Sequence, residues 1–288
     1  MFCVIEVLII MAITPVIMLC SYIYRKDANK EPMSLLMKIF FLGFIMSIPV
    51  IIVEWMLGSF FEIDGVTNFI QLFISIFISV ALIEEGAKWL VVKFVGYNNK
   101  EFDEIYDIIV YSAFSSLGFA CIENILYVLS RGGGVAFGRA ILSVPGHMCF
   151  GIIMGYFFSK AKLNSLNNSK DSFDKNMFLS IIAPTTVHTI YDALLFYTGN
   201  ISGNIALITF GLFIVFDIIM VIVSLRIVKT ISSMQTHISN SLTSGVITNT
   251  NGQIVVQNTN KAEINFCPVC GRNVRGSNFC GGCGYKIK

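Results

Sequence analysis

Charge is scarce in this chain. Of its 288 residues, 13% are Asp, Glu, Lys or Arg, against about 25% in a soluble globular protein. With a mean hydropathy of +0.74 and 25 Phe, the deficit excludes a water-exposed fold for most of the sequence. Neither sign of charge dominates: the net charge is +2, which gives no support to nucleic-acid binding, and none is expected. The first apolar run has no basic segment ahead of it. At residues 2–24 it is too long for a signal-peptide core, so a retained span is expected. No internal repeat is present. No Ser or Cys shows a Ser–His or Ser–Lys pattern, which sets aside a serine or cysteine nucleophile.

Long apolar runs are abundant. A span takes roughly 20 mostly apolar residues, and seven such stretches fall at about 2–24, 34–57, 69–93, 105–130, 139–160, 177–199 and 205–228. The expected fold is an all-α polytopic membrane protein of about seven transmembrane helices. Arg25, Lys26 and Lys30 lie in the first loop, Lys100 in the third, and Lys160, Lys162, Lys170 and Lys175 in the fifth. The loops at 58–68 and 199–204 have no Lys or Arg, and only Arg131 and Arg139 oppose the trend. The positive-inside rule then places the N-terminus outside and the C-terminus in the cytoplasm of a multi-pass cell-membrane protein.

After Lys229 the hydropathy collapses. Residues 230–262, rich in Ser, Thr, Asn and Gln, read as a flexible polar linker that includes His237. Residues 263–288 carry Cys267-x-x-Cys270 and Cys280-x-x-Cys283. Two such knuckles offer four thiolates to one tetrahedral structural Zn²⁺. So short a segment has no core of its own, so metal binding would supply its folding energy, and a cytoplasmic position argues against disulfides. This is read as a small C-terminal zinc ribbon with a possible cytoplasmic partner. Cys3, Cys20, Cys121 and Cys149, scattered in apolar runs, read as small hydrophobes.

The scarce polar residues inside the spans are concentrated. A charge near the bilayer centre costs about 2.5–3.5 kcal/mol even on insertion scales. The third run ends Ile83-Glu84-Glu85-Gly86-Ala87-Lys88, where Glu84 and Lys88 share a helix face and can pair, while Glu85 points about 100° away. Snorkelling serves Lys88 but gains little for two acids one turn deeper. The fourth run holds Phe119-x-x-x-Glu123 followed by Asn124. The fifth holds His147 ahead of Gly151 and Gly155, a small-xxx-small face for close helix approach. In the sixth, Asp192 is four residues after His188 and can orient its imidazole. Each motif alone is weak. Together they suggest one polar pocket between helices, of the kind that peptide hydrolysis in a membrane needs: an activated water and oxyanion donors.

Glu84-Glu85-x-x-Lys88, Phe119-x-x-x-Glu123, His147-x-x-x-Gly151 and His188-x-x-x-Asp192 resemble, in order, the motifs of the PrsW family of intramembrane proteases, related to the CAAX prenyl endopeptidases and bacteriocin-processing enzymes. The resemblance covers about residues 70–200, within a transmembrane domain at 1–229. It implies a protease that makes the first, extracytoplasmic-side cut in a membrane-anchored protein such as an anti-sigma factor. The substrate would be a single-pass membrane protein lying in the same bilayer. The resemblance further implies Glu84 as the water-activating base, Glu85 as its paired or sharing neighbour, and His188 with Asp192 on the oxyanion side. Glu123 and His147 would complete the pocket, although prenyl-peptide proteases carry His where Glu123 stands. Both metal-dependent and glutamate-type mechanisms are ascribed to the family, and these residue types suit either. The competing readings are a proton-coupled transporter or channel and a non-catalytic scaffold acting through its ribbon.

Overall fold

The computed structural model describes residues 2–131, 133–166, 170–243, 247–248 and 254–255. Among the described residues eight helices follow one another: α1 (Phe2–Lys26), α2 (Met33–Leu57), α3 (Phe69–Tyr97), α4 (Asp107–Arg131), α5 (Gly133–Ile141), α6 (Ser143–Leu166), α7 (Lys170–Asn200) and α8 (Asn204–Thr243). Among the described residues seven spans are long and apolar enough to cross a membrane, α5 and α6 together supplying the fifth. A two-residue antiparallel pair, Ile247–Thr248 with Ile254–Val255, follows α8. The four cysteines of the expected ribbon, Cys267, Cys270, Cys280 and Cys283, lie outside the described residues.

Several boundaries differ from the sequence reading, the fifth loop among them, since α6 runs on to Leu166 and α7 begins at Lys170. The segment before residue 139, read as loop, is the helix α5. Pro145 has no N–H for the carbonyl of Ile141, so the chain breaks step at Leu142 before α6 continues. The last helix runs past Lys229 to Thr243, into the stretch read as linker; no Gly or Pro interrupts it before Gly245.

Helix α4 is the axis of the bundle, packed by α1, α2 and α6 and buried at every position from Asp107 to Cys121. Its small residues permit this. A Cβ on Gly118 would stand 2.0 Å from the Phe40 carbonyl oxygen of α2, and one on Gly43 would stand 2.2 Å from that of Ser115. Backbone thus meets backbone, the means by which membrane helices gain dispersion contact without a hydrophobic driving force. On the other side, a Cβ on Gly151 or Gly155 of α6 would stand 2.7 Å from Ser112 or Ile109 of α4, so the small-residue face recognised in the sequence packs on α4. Large apolar side chains such as Ile17, Phe41, Trp55, Ile208 and Leu212 are exposed on the outside of the bundle, where lipid rather than water is the matching solvent.

Candidate active site

Helix α3 is not a regular α-helix. Its backbone widens into π-helical turns at Phe77–Ala81 and Val92–Tyr97, on either side of the α-helical segment Leu82–Val91. Such turns re-aim the side chains that follow them and recur at functional sites. Here they bracket Glu84, Glu85 and Lys88, all three buried. Lys88 Nζ donates to Glu84 Oε2 at 2.9 Å and to Glu85 Oε1 at 2.7 Å, and lies 3.1 Å from His147 Nδ1. The ring of Phe119 covers the same ammonium, 4.3 Å from centroid to nitrogen, a cation–π contact strengthened by desolvation. Glu85 is therefore not turned away from Lys88 as the 100° rotation suggested: the long Lys side chain reaches both acids.

Two arms extend from this centre. On one, His147 Nε2 meets Glu123 Oε2 at 2.8 Å, and Arg139 of α5 closes the arm by reaching Glu123 at 3.4 Å and Asn124 Oδ1 at 3.2 Å. Because the Lys88 ammonium can only donate, His147 Nδ1 accepts from it, and Nε2 carries the proton toward Glu123. On the other arm, His188 Nδ1 lies 3.1 Å from Glu85 Oε1, and Nε2 lies 3.2 Å from Asp192 Oδ2. With a carboxylate oxygen at each nitrogen, both can donate only as the imidazolium. Phe150 stacks on this ring at 4.5 Å. All six residues singled out in the sequence, Glu84, Glu85, Glu123, His147, His188 and Asp192, thus belong to one connected polar network.

The structure adds members that the sequence reading passed over. Arg139, read as a loop charge, faces into the network and lies over Tyr127. Glu54 of α2 has a buried Oε1 with no hydrogen-bond partner, and its carboxyl is within electrostatic range of Glu84, Glu123, His188 and Lys88. The signal was available, since Glu54 is a lone acid within an apolar run. Asp217 of α8, also an acid in a span, stays outside the network and lies near Tyr191 and Cys149.

Glu84, Glu85 and His147 each offer an atom that could ligate a metal ion, the three within 4.8 Å of one another. Carboxylate oxygen and imidazole nitrogen suit Zn²⁺ chemically. The position between them does not suit it, because Lys88 Nζ contacts all three at 2.7–3.1 Å. An ion there would have to displace the ammonium and then share the space with it.

A helical bundle of membrane-spanning length with a buried network of acids and imidazoles is the architecture of a membrane protein that handles protons, whether to hydrolyse or to transport. Comparison narrows the class. Residues 31–246 match the family model described as PrsW family intramembrane metalloprotease. Curated relatives named Protease PrsW are similar: one from Oceanobacillus iheyensis is 43% identical over 64% of this chain and 80% of its own. One from Geobacillus kaustophilus is 39% identical over 65% and 79%, and one from Bacillus subtilis 37% identical over 65% and 82%. No solved structure matches. The chain belongs to the PrsW family, and it is an intramembrane protease.

Proposed function

We propose that the chain cleaves a single-pass, membrane-anchored protein near the outer face of the membrane, with an anti-sigma factor as the substrate class, by means of a water activated by Glu84. The observation that carries this reading is the unequal placement of the two adjacent acids. Glu85 has no exposure and is held by both Lys88 and His188, whereas Glu84 keeps 4% exposure and touches Lys88 through one oxygen. Glu84 is thus the acid that water can reach, and Glu85 the one that orients.

In this mechanism Glu84 takes a proton from water as the oxygen attacks the scissile carbonyl, then returns it to the leaving amine. His188, held between Glu85 and Asp192, presents positive charge to the developing oxyanion. Glu123 holds His147 with Nδ1 toward Lys88, which keeps the ammonium centred between the carboxylates. The orientation read from the loops supports an extracytoplasmic cut. Glu123, His147, His188 and Asp192 lie toward the helix ends that join the segments at 131–143 and 200–204, the side nearly free of Lys and Arg, while Glu84 and Glu85 lie near the middle of α3, slightly closer to its other end. Of the two exceptions, Arg139 is spent on Glu123. The ribbon at 263–288 would then lie in the cytoplasm, available to a partner there.

N-terminal proteomics of membranes expressing the wild type or Glu84→Gln at equal levels tests the reading. New protein ends near the outer membrane boundary of single-pass proteins are expected with the wild type alone. Identical ends in both strains would remove Glu84 from the chemistry.

A metal-dependent form of the same reaction would need Lys88 to move aside, and would then draw on Glu84, Glu85 and His147, whose ligand atoms converge. Zinc bound to purified protein separates the two. In the glutamate reading, Cys267→Ser with Cys280→Ser removes all bound zinc. One ion per chain, retained in that variant and lost on adding Glu85→Gln, would instead establish a metal in the active site.

A further inference from the structure

The end of the bundle away from the active site carries a second cluster of acids. Asp27 and Glu31 come from the connection between α1 and α2, Asp103 and Glu104 from the connection into α4, and Asp107 is the first residue of α4. Asp27, Glu31 and Asp107 are all buried, Asp107 completely. Asp27, Glu104 and Asp107 each offer an oxygen, the three within 4.8 Å of one another. From Asp107 to Glu123 is 16 residues of helix, about 24 Å at 1.5 Å per residue, so this is not an extension of the catalytic network.

Part of the cluster is local scaffolding. Asp107 Oδ2 accepts from the backbone N–H of Asp103 at 3.1 Å and of Glu104 at 2.6 Å, which ties the preceding turn to the start of α4. Asp27 Oδ2 accepts from the Glu31 N–H, Asn29 donates to Glu104 Oε1, and Tyr111 donates to Glu31. These bonds leave a remainder. Asp107 Oδ1 and Glu104 Oε2 are both buried with no hydrogen-bond partner, and a buried acceptor so left costs about 1–3 kcal/mol or more when charged.

Nothing cationic among the described residues answers them. Among the described residues no Lys or Arg forms an ion pair with Glu31, Glu104 or Asp107. Lys30, next to Glu31 in sequence, donates instead to the backbone carbonyls of Tyr24 and Asp27, and Lys162 lies over the rings of Phe102 and Tyr97. Burial, with the charges of Asp27 and Asp103 added, pushes the Glu31 carboxyl up to about 7, and burial raises Glu104 as well. Asp107 Oδ1 and Glu104 Oε2 thus have no positive partner among the described residues. A proton shared between Glu31 and Asp107, which are in hydrogen-bonding range, would serve that pair and leave Glu104 Oε2 as it is.

We propose that Asp27, Glu104 and Asp107, with Glu31 beside them, form a binding site for a hard divalent cation of the Ca²⁺, Mg²⁺ or Mn²⁺ type that ties the α1–α2 connection to the entry of α4. Carboxylate oxygens without thiolate or imidazole are the ligand set such ions take. The two oxygens lacking partners come from the acids nearest the start of α4, where a bound ion would also fix the axis of the bundle.

The test uses the full-length protein in detergent, stripped with chelator, and follows its unfolding temperature as Ca²⁺, Mg²⁺ or Mn²⁺ is added singly. A saturable rise is expected in the wild type and equally in Glu84→Gln. In Asp107→Asn the apparent affinity should fall by about tenfold or more, since the site's ligand charge sets its affinity. Glu104→Gln, outside the spans, provides the same comparison should Asp107→Asn fail to fold. The signal of bound Mn²⁺ in paramagnetic resonance should be lost in the same variants. Three outcomes would overturn the proposal: no shift with any of the ions, an undiminished shift in both variants, or a shift lost in Glu84→Gln, which would place the ion in the active site. A rise in the unfolding temperature of Asp107→Asn without metal, and indifference of the wild type to the ions, would assign the cluster to a shared proton.

Discussion

Glu84→Gln is expected to reduce the cleavage rate of the purified enzyme by about 10²–10⁴-fold, the usual worth of a general base, with little loss of stability. Gln keeps an oxygen for Lys88 to donate to, and the ammonium keeps Glu85 at 2.7 Å. In the proposed mechanism the charge removed is the one that accepts the proton of water. Glu85→Gln should behave differently, because Glu85 holds Lys88 and His188 at once. It is expected to lower the unfolding temperature as well as the rate. Cleavage of a reconstituted substrate, measured beside thermal unfolding in detergent, separates the two effects. An active Glu84→Gln enzyme would transfer the role of base to another acid, with Glu123 and Glu54 the next to examine.

The largest expected effect on stability belongs to Lys88→Met. The change matches the length of the side chain and keeps its apolar stem, yet it leaves Glu84 and Glu85 adjacent, buried and without their shared cation. Removing one partner of a buried ion pair costs about 3–5 kcal/mol, because the remaining charge is uncompensated. Here one nitrogen serves two carboxylates and an imidazole. Unfolding measurements should show that loss, with part of it recovered in Lys88→Met combined with Glu85→Gln, where one of the stranded charges is gone. A Lys88→Met protein as stable as the wild type would mean that the acids are neutralised in another way, and the centre of the network would need to be redrawn.

The same three contacts bear on the metal question. Lys88 Nζ occupies the place that a divalent ion would take between Glu84, Glu85 and His147. A fixed ammonium orients carboxylates and stabilises negative charge, but it cannot supply a bound hydroxide. In the proposed mechanism the activation of water therefore falls to a carboxylate.

Apolar runs of spanning length are set by residue type alone, and the requirement that backbone groups be satisfied within the bilayer turns each into a helix. The seven spans were therefore legible in the sequence, as were the six acids and imidazoles, since a polar residue in such a run stands out against its neighbours. Family resemblance rested on those same residues. The helix α5 and the extension of α8 to Thr243 were not legible, because hydropathy marks where a chain enters lipid and not where a helix ends. Partners were not legible either. That Lys88 bridges both acids, that His147 meets Glu123, that Arg139 turns inward, and that Glu54 joins from α2 depend on α4 being approached closely by its neighbours. Gly43, Gly118, Gly151 and Gly155 make that approach possible, but which helix each glycine faces is fixed by packing. Sequence determined what would be buried and at what cost. Tertiary structure decided which charges would meet, because burial makes pairing obligatory without naming the partner.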